Sequence, residues 1–231
     1  MLCFPEFFFG LVPVSDYRPA ISALQSIAKA SECALVTGNI PLAMGPGSCS
    51  QRLVTIDSDG SLLTDSCKRN PYAIEARGYV DGGTLQSSSF GWGSVLTLNG
   101  LDAIDADLVG QACGLQPDLL VLQVNPASAL EAEALREYGI SLARCAARAV
   151  IVPVHDSVRE VVGSAGFAVD DSGLTEESPG IDSLMTVIEI SVRDSRVAAP
   201  MGTERALVPE LLRQRMISEM GGGPDAAGLA R

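Results

Sequence analysis

Basic charge is scarce in this chain: 16 Lys and Arg stand against 28 Asp and Glu, for a formal charge of −12. A broad nucleic-acid surface needs clustered cations to neutralise phosphates, so no nucleic-acid partner is expected. Aromatics make up only 5% of the residues, so the core must be built from Leu, Val, Ile and Ala. No apolar stretch is long enough to span a bilayer, and no membrane partner is expected either. The six cysteines, Cys3, Cys33, Cys49, Cys67, Cys113 and Cys145, show no C-x-x-C spacing. That removes the zinc knuckle and gives no disulfide framework; reduced thiols in a cytoplasm are the simplest reading. No G-x-G-x-x-G follows a strand and no Walker G-K-[ST] occurs, so a Rossmann or P-loop nucleotide site is disfavoured. No ligand-spaced cluster of acids suggests a metal, and no cofactor is expected. The opening LCFPEFFFGLVPV has no basic n-region, is broken by Pro5, Glu6 and Pro13, and precedes no A-x-A site. It does not read as a signal peptide.

What remains is enough for one domain. The chain has 231 residues, 47% of them apolar, which can bury a substantial core. Residues 1–216 read as that domain, and 217–231, rich in Gly and Ala, as a disordered tail. An apolar run over 1–5 predicts a buried strand that stops at Glu6. Ile21 to Lys29 has helical periodicity, with Leu24, Ile27 and Ala28 on one face. Cys33 to Thr37 reads as a short strand, closed by Gly38-Asn39. Arg52 to Ile56 and Ser61 to Thr64 flank Asp57-Ser58-Asp59-Gly60, a strong hairpin signal.

A loop rich in Gly, Pro and Ser follows, from about Asn70 to Phe90. Then come a strand at Ser94 to Leu98, a helix at Ile104 to Cys113, and the most hydrophobic strand, Leu119 to Val124. A longer helix runs from Ala129 to about Arg148, with Leu130, Ala134, Leu135, Ile140, Leu142 and Ala143 as its apolar face. Val150 to Val154 reads as a strand, and Gly166 to Val169 and Met185 to Ile190 bracket a further turn. Strands alternating with helices define an α/β layer protein, and the hairpins make its sheets mixed.

Three segments suggest chemistry together: Phe4-Pro5-Glu6 at a strand end, Ser66-Cys67-Lys68-Arg69 after the hairpin, and Val95 to Asp102, a strand running into a turn. Taken in order, they resemble the nitrilase, or carbon–nitrogen hydrolase, superfamily. Phe4-Pro5-Glu6 is similar to its F-P-E, and Ile56-Asp57-Ser58-Asp59-Gly60 with Lys68-Arg69 to its I-D-x-x-G…K-R. Asp118-Leu119-Leu120-Val121 and Asn125-Pro126-Ala127-Ser128 resemble the strand and loop after the nucleophile. Gly163-Ser164, then Val169-Asp170-Asp171-Ser172-Gly173, and finally Glu189-Ile190, resemble its closing elements. The resemblance runs from about Leu2 to Arg215.

It implies an αββα sandwich that pairs through helices, either with itself or with a nitrilase-type partner, and a small amide, nitrile or carbonyl ligand. The helix from Ala129 and the segment Leu207 to Met216 would be the pairing surfaces. In the family a cysteine attacks the nitrile or amide carbon, a carboxylate takes its proton and later activates water, and a lysine steadies the developing charge. The resemblance assigns Glu6 as that base and Lys68 as that cation. Glu75 matches a second site glutamate, in a loop that otherwise matches poorly.

Three departures stand out. The family's elbow reads C-[aromatic]-[D/E]-x-x-F-P-E; here Asp102 falls on the acidic position, Asp105-Ala106-Asp107 on F-P-E, and Gly100 on the cysteine. A one-residue slip only moves the position to Asn99. Second, the family's F-P-E strand follows a first strand and helix, whereas Met1 stands three residues before Phe4. That N-terminal strand and helix are therefore expected to lie upstream of Met1, to be replaced by another chain, or to be lost in a degenerate copy. Third, the family's R-A-x-E-N is replaced by Arg144-Cys145-Ala146-Ala147-Arg148.

Other thiols are poor substitutes on sequence. Cys67 adjoins Lys68, but neighbours on an extended chain point to opposite sides. Cys113 lies about 20 Å from Gly100 along a helix rising ~1.5 Å per residue, and Cys3 belongs to a buried strand. His155 beside Asp156 has no G-x-S-x-G serine and reads as a loop histidine. Trp92 either stacks a ligand or covers a sheet edge. Three functions stay open: a non-hydrolytic binding homologue, a hydrolase with an unexpected nucleophile, and a subunit of a nitrilase-type assembly.

Overall fold

In the computed structural model, residues 1–6, 8–70, 84–154, 166–170, 175–177, 210, 212 and 214 are described. Strands β1 (Leu2–Cys3) and β2 (Val12–Pro13) precede helix α1 (Val14–Ser31). Strands β3 (Leu35–Val36), β4 (Ile40–Gly45), β5 (Ser48–Ile56) and β6 (Leu62–Cys67) complete the first sheet. The second sheet holds β7 (Ser88–Phe90), β8 (Gly93–Asn99), β9 (Leu119–Gln123), β10 (Ala149–Pro153), β11 (Gly166–Asp170) and β12 (Thr175–Glu177). Helices α2 (Ala106–Leu115) and α3 (Ala129–Cys145) follow β8 and β9.

Side-chain alternation sorts these elements into four layers. In β3, Leu35 packs toward Ile21 and Ala28 of α1, while Val36 packs toward Val95 and Val121 of the other sheet. In β9, Leu120 and Leu122 face Leu108 and Leu135 of the outer helices, while Leu119 and Val121 face inward between the sheets. Both faces of each sheet are thus covered, which is why β9 reads as a continuous apolar run rather than an alternating one. The architecture is the expected αββα sandwich with mixed sheets: β8, β9 and β10 run parallel, and β7 and β11 pair antiparallel at their flanks.

The first sheet carries the feature that builds the site. β3 and β4 lie along the same edge of β5, with Val36 opposite Thr55 and Ile40 opposite Arg52. They form one row broken at Thr37-Gly38-Asn39. β1 and β2 form a second broken row beside it, with Leu2 opposite Leu35 and Val12 opposite Leu42. The excursion between β1 and β2 carries Glu6. Thr37 heals the break in the ladder: its N–H donates to Val54 O (2.9 Å), and its Oγ1 accepts from Val54 N (2.9 Å).

Two predicted helix faces need correction. α1 begins before Pro19, and Ile27 is 52% exposed, so the buried stripe is Ile21, Leu24 and Ala28. The first turn holds because Tyr17 Oη donates to Asp65 Oδ1 at 2.7 Å, and because Pro19 is exposed, so the unbonded carbonyl of that turn faces water. In α3, Leu130 is 70% exposed; Leu135, Leu142 and Ala143 are buried as read, and Ala132, Tyr138 and Gly139 complete the stripe. β4 also lies where no strand was read. The segment Met185 to Ile190, the late Gly163-Ser164, Leu207 to Met216 as a unit, and the tail 217–231 lie outside the described residues.

Candidate active site

Chain order brings three loops to one point between the sheets. β1 ends at Cys3, Phe4 N donates to Val36 O (2.9 Å), and Pro5 then turns the chain into Glu6. The Glu6 carbonyl accepts from Asn39 N at 2.8 Å. This loop fits against the row break because residue 38 is glycine: a Cβ there would lie 1.9 Å from Pro5 O. From the opposite edge, the β5–β6 ladder continues one residue past Cys67, with Lys68 N donating to Gln51 O (2.9 Å).

Lys68 Nζ then reaches Glu6 Oε1 at 3.1 Å, and both side chains are 0% exposed. Removing two charges from water is expensive, and their attraction only partly offsets it. A buried pair of this kind is therefore a functional-site candidate before it is a stability device.

The third loop is the strand-to-helix turn after β8. Asn99 is extended, and Gly100 enters a 3₁₀ turn, Gly100–Ala103, at φ +51°. Such a sharp strand–turn–helix is the chain path on which hydrolases with a nucleophile elbow present their nucleophile. Glycine adopts that φ without strain.

Hydrogen bonds tie this elbow to the other two loops. The Asp102 carboxylate accepts from Arg69 N (Oδ2, 2.9 Å) and Asn70 N (Oδ1, 2.7 Å), the residues directly after Lys68. Burial pushes the Asp102 carboxyl up to about 6, with those N–H groups pulling it the other way. Asn99 Nδ2 donates to Gln123 Oε1 (2.8 Å), and Gln123 Nε2 donates to Phe4 O (2.8 Å) and Thr37 O (2.7 Å). From the helix layer, Tyr138 Oη donates to Ala103 O at 2.6 Å. Beside the elbow lies a small cavity of about 30 Å³, room for a water, lined by Thr37, Ser66, Arg69, Thr97 and Asp102 together with apolar side chains such as Leu53 and Leu98.

The structure thus joins Glu6 and Lys68 directly and links the Gly100 turn to both loops through Asn99 and Asp102. Glu75 and His155 lie outside the described residues. The other thiols sit elsewhere. Cys3 packs against the inter-sheet core, and burial pushes its thiol up to about 12, which keeps it protonated at neutral pH. Cys67 turns to Ser50 Oγ (3.3 Å) and Arg52 Nη1 (2.8 Å) while its neighbour Lys68 turns to Glu6. Cys113 belongs to the outer helix α2. Trp92 stacks on Phe90 at 5.1 Å, at the β7 edge of the second sheet.

Sequence reasoning missed Asn39, Gln123 and Thr37. Asn39 is buried, and neither end of its side-chain amide has a hydrogen-bond partner among the described residues; the same holds for Asn99 Oδ1. Unpaired buried amides are rare and call for an explanation. Asn99 and Gln123 stand opposite one another at the ends of β8 and β9, a register that only the folded sheet reveals.

No family model matches this chain, and no curated protein matches it. Solved structures do. The fold is similar to that of a nitrilase-superfamily amidase from Nesterenkonia AN1, in a cysteine-to-alanine form, with a TM-score of 0.62 and 21% identity over 78% of this chain and 73% of that one. The cysteine-to-alanine form in complex with butyramide aligns at TM-score 0.56 and 19% identity, over 70% of this chain and 62% of that one. A carbon–nitrogen hydrolase from Helicobacter pylori G27 gives 0.57 and 11%, over 72% and 65%. The chain therefore has the nitrilase-like fold and spans 62% to 73% of these proteins' length.

Proposed function

We propose that this chain is a nitrilase-superfamily protein that retains the carboxylate and ammonium of an amide-hydrolysing site, lacks the nucleophile, and binds a small amide or related carbonyl ligand without hydrolysing it. The observation that carries the reading is the fully buried Glu6–Lys68 pair at 3.1 Å, linked by hydrogen bonds to an elbow whose first residue, Gly100, has no side chain. Acyl transfer by a thiol needs the sulfur to form the covalent intermediate. With glycine in that position Glu6 has no thiol proton to accept, and Lys68 steadies no tetrahedral oxyanion.

Binding is a separate matter from turnover. Lys68 Nζ can donate to a carbonyl oxygen, the Asn39 amide offers a donor and an acceptor, and Asn99 Oδ1 offers a further acceptor to a primary amide. The cysteine-to-alanine form of the Nesterenkonia amidase was solved in complex with butyramide, a precedent for amide binding where the thiol is absent.

The test uses butyramide in two assays, calorimetric binding and release of ammonia. The expected result is saturable binding, weakened about tenfold by Asn39→Ala as one buried hydrogen bond is lost, with no ammonia. Ammonia release that disappears in both Glu6→Gln and Lys68→Ala would overturn the reading in favour of an active hydrolase.

A further inference from the structure

The parallel order β8-β9-β10 dictates how the outer helices lie. Each connection crosses from one strand to its parallel neighbour, so α2 and α3 pack side by side on the same face of the sheet and run in the same direction. Their C-terminal ends therefore meet. Cys113 sits in the last turn of α2, and Cys145 is the last residue of α3. Their sulfurs are 3.7 Å apart, both partly exposed, though 32 residues separate them in sequence.

We propose that Cys113 and Cys145 form a reversible disulfide that clamps α2 to α3 when the protein meets a disulfide oxidant. The sulfurs stand at contact distance, and a bond requires them to approach from 3.7 Å to about 2.05 Å. Selectivity comes from proximity. One thiolate attacks a sulfur of oxidised glutathione and expels one glutathione thiolate. The second thiolate then attacks the protein sulfur of that mixed disulfide and expels the other. Two protein thiols are oxidised, one glutathione disulfide is reduced to two glutathione thiols, and the second step is intramolecular and outruns further glutathionylation.

The same helix α3 that carries Cys145 also carries Tyr138, whose hydroxyl donates to Ala103 O at the end of the 3₁₀ turn.

The experiment incubates the full chain with oxidised glutathione, quenches with an alkylating agent, and maps peptides by mass spectrometry. The expected product is a cross-linked peptide pair containing Cys113 and Cys145, two hydrogens lighter than the reduced pair, and restored by dithiothreitol. In Cys113→Ser and in Cys145→Ser the cross-link disappears, and the remaining cysteine of the pair carries a glutathione adduct instead. Separate glutathione adducts on Cys113 and Cys145 in the wild-type chain, with no cross-link, would overturn the proposal; this reading needs no variant to fold.

Discussion

Lys68 Nζ and Glu6 Oε1 meet at 3.1 Å across 62 residues of sequence, in a place neither side chain shares with water. The contact joins the end of the β5–β6 hairpin to the excursion between β1 and β2, so it is both a link between distant loops and a store of unfavourable desolvation.

That arrangement predicts an asymmetry in mutants. Lys68→Met should cost about 3–5 kcal/mol, because it leaves the Glu6 carboxylate buried without its ammonium. Adding Glu6→Gln should recover much of the loss, because the uncompensated charge is then gone. Urea denaturation of the single and double variants checks it. Additive losses in the double variant would mean that the two side chains do not depend on each other.

Asp102 predicts a pH dependence of defined sign. Its carboxyl is raised by burial from 3.8 to about 6. Between those values the folded chain holds a proton that the unfolded chain has released. Stability from this group is therefore fully present below about pH 4 and is lost as pH rises through about 6, on the order of 3 kcal/mol at most. Asp102→Asn should flatten that portion of the stability profile. An unchanged profile in the variant would assign the slope to other groups.

Gly38 is predicted to tolerate no side chain. The backbone of Pro5 stands where a Cβ would go, at 1.9 Å, so Gly38→Ala must push the Glu6 loop away from the row break. A loss of about 1–3 kcal/mol is expected, as for other overpacked sites. Gly110 in α2 is the contrast, since nothing lies within 4 Å of its added Cβ. There alanine should stabilise by up to about 1 kcal/mol through helix propensity. Thermal midpoints of the two variants should move in opposite directions.

Much of this was legible in the sequence, for identifiable reasons. β8, β9 and β10 are short apolar runs between turn signals, and the Asp57-Ser58-Asp59-Gly60 turn fixes the β5–β6 hairpin, so strands and layer class followed from pattern. Glu6 and Lys68 were singled out through the resemblance of Phe4-Pro5-Glu6 and Lys68-Arg69 to the family's motifs, and the structure pairs them. β4 was not, because Pro41 and Gly45 read as breakers, and pairing with β5 overrides them. The start of α1 was hidden by Pro19, which costs little on an exposed turn. Asn39 and Gln123 were invisible as site residues because their roles depend on which loops meet across the sandwich. The Cys113–Cys145 contact likewise follows from helix order on the sheet, which cysteine spacing alone does not encode.

The central claim is that Gly100 occupies the place of an absent nucleophile. Gly100→Cys tests it most directly, since the elbow backbone at φ +51° is already formed and a non-glycine residue there costs about 1–3 kcal/mol, which a domain can absorb. The variant is incubated with acrylamide and its adducts are mapped by mass spectrometry beside the wild-type chain. The account predicts a fast single adduct on residue 100, slowed strongly by Glu6→Gln, and no Glu6-dependent adduct on the wild-type chain. A residue-100 thiol that reacts no faster when Glu6 is present, or a wild-type adduct on Cys3 or Cys67 that requires Glu6, would contradict it.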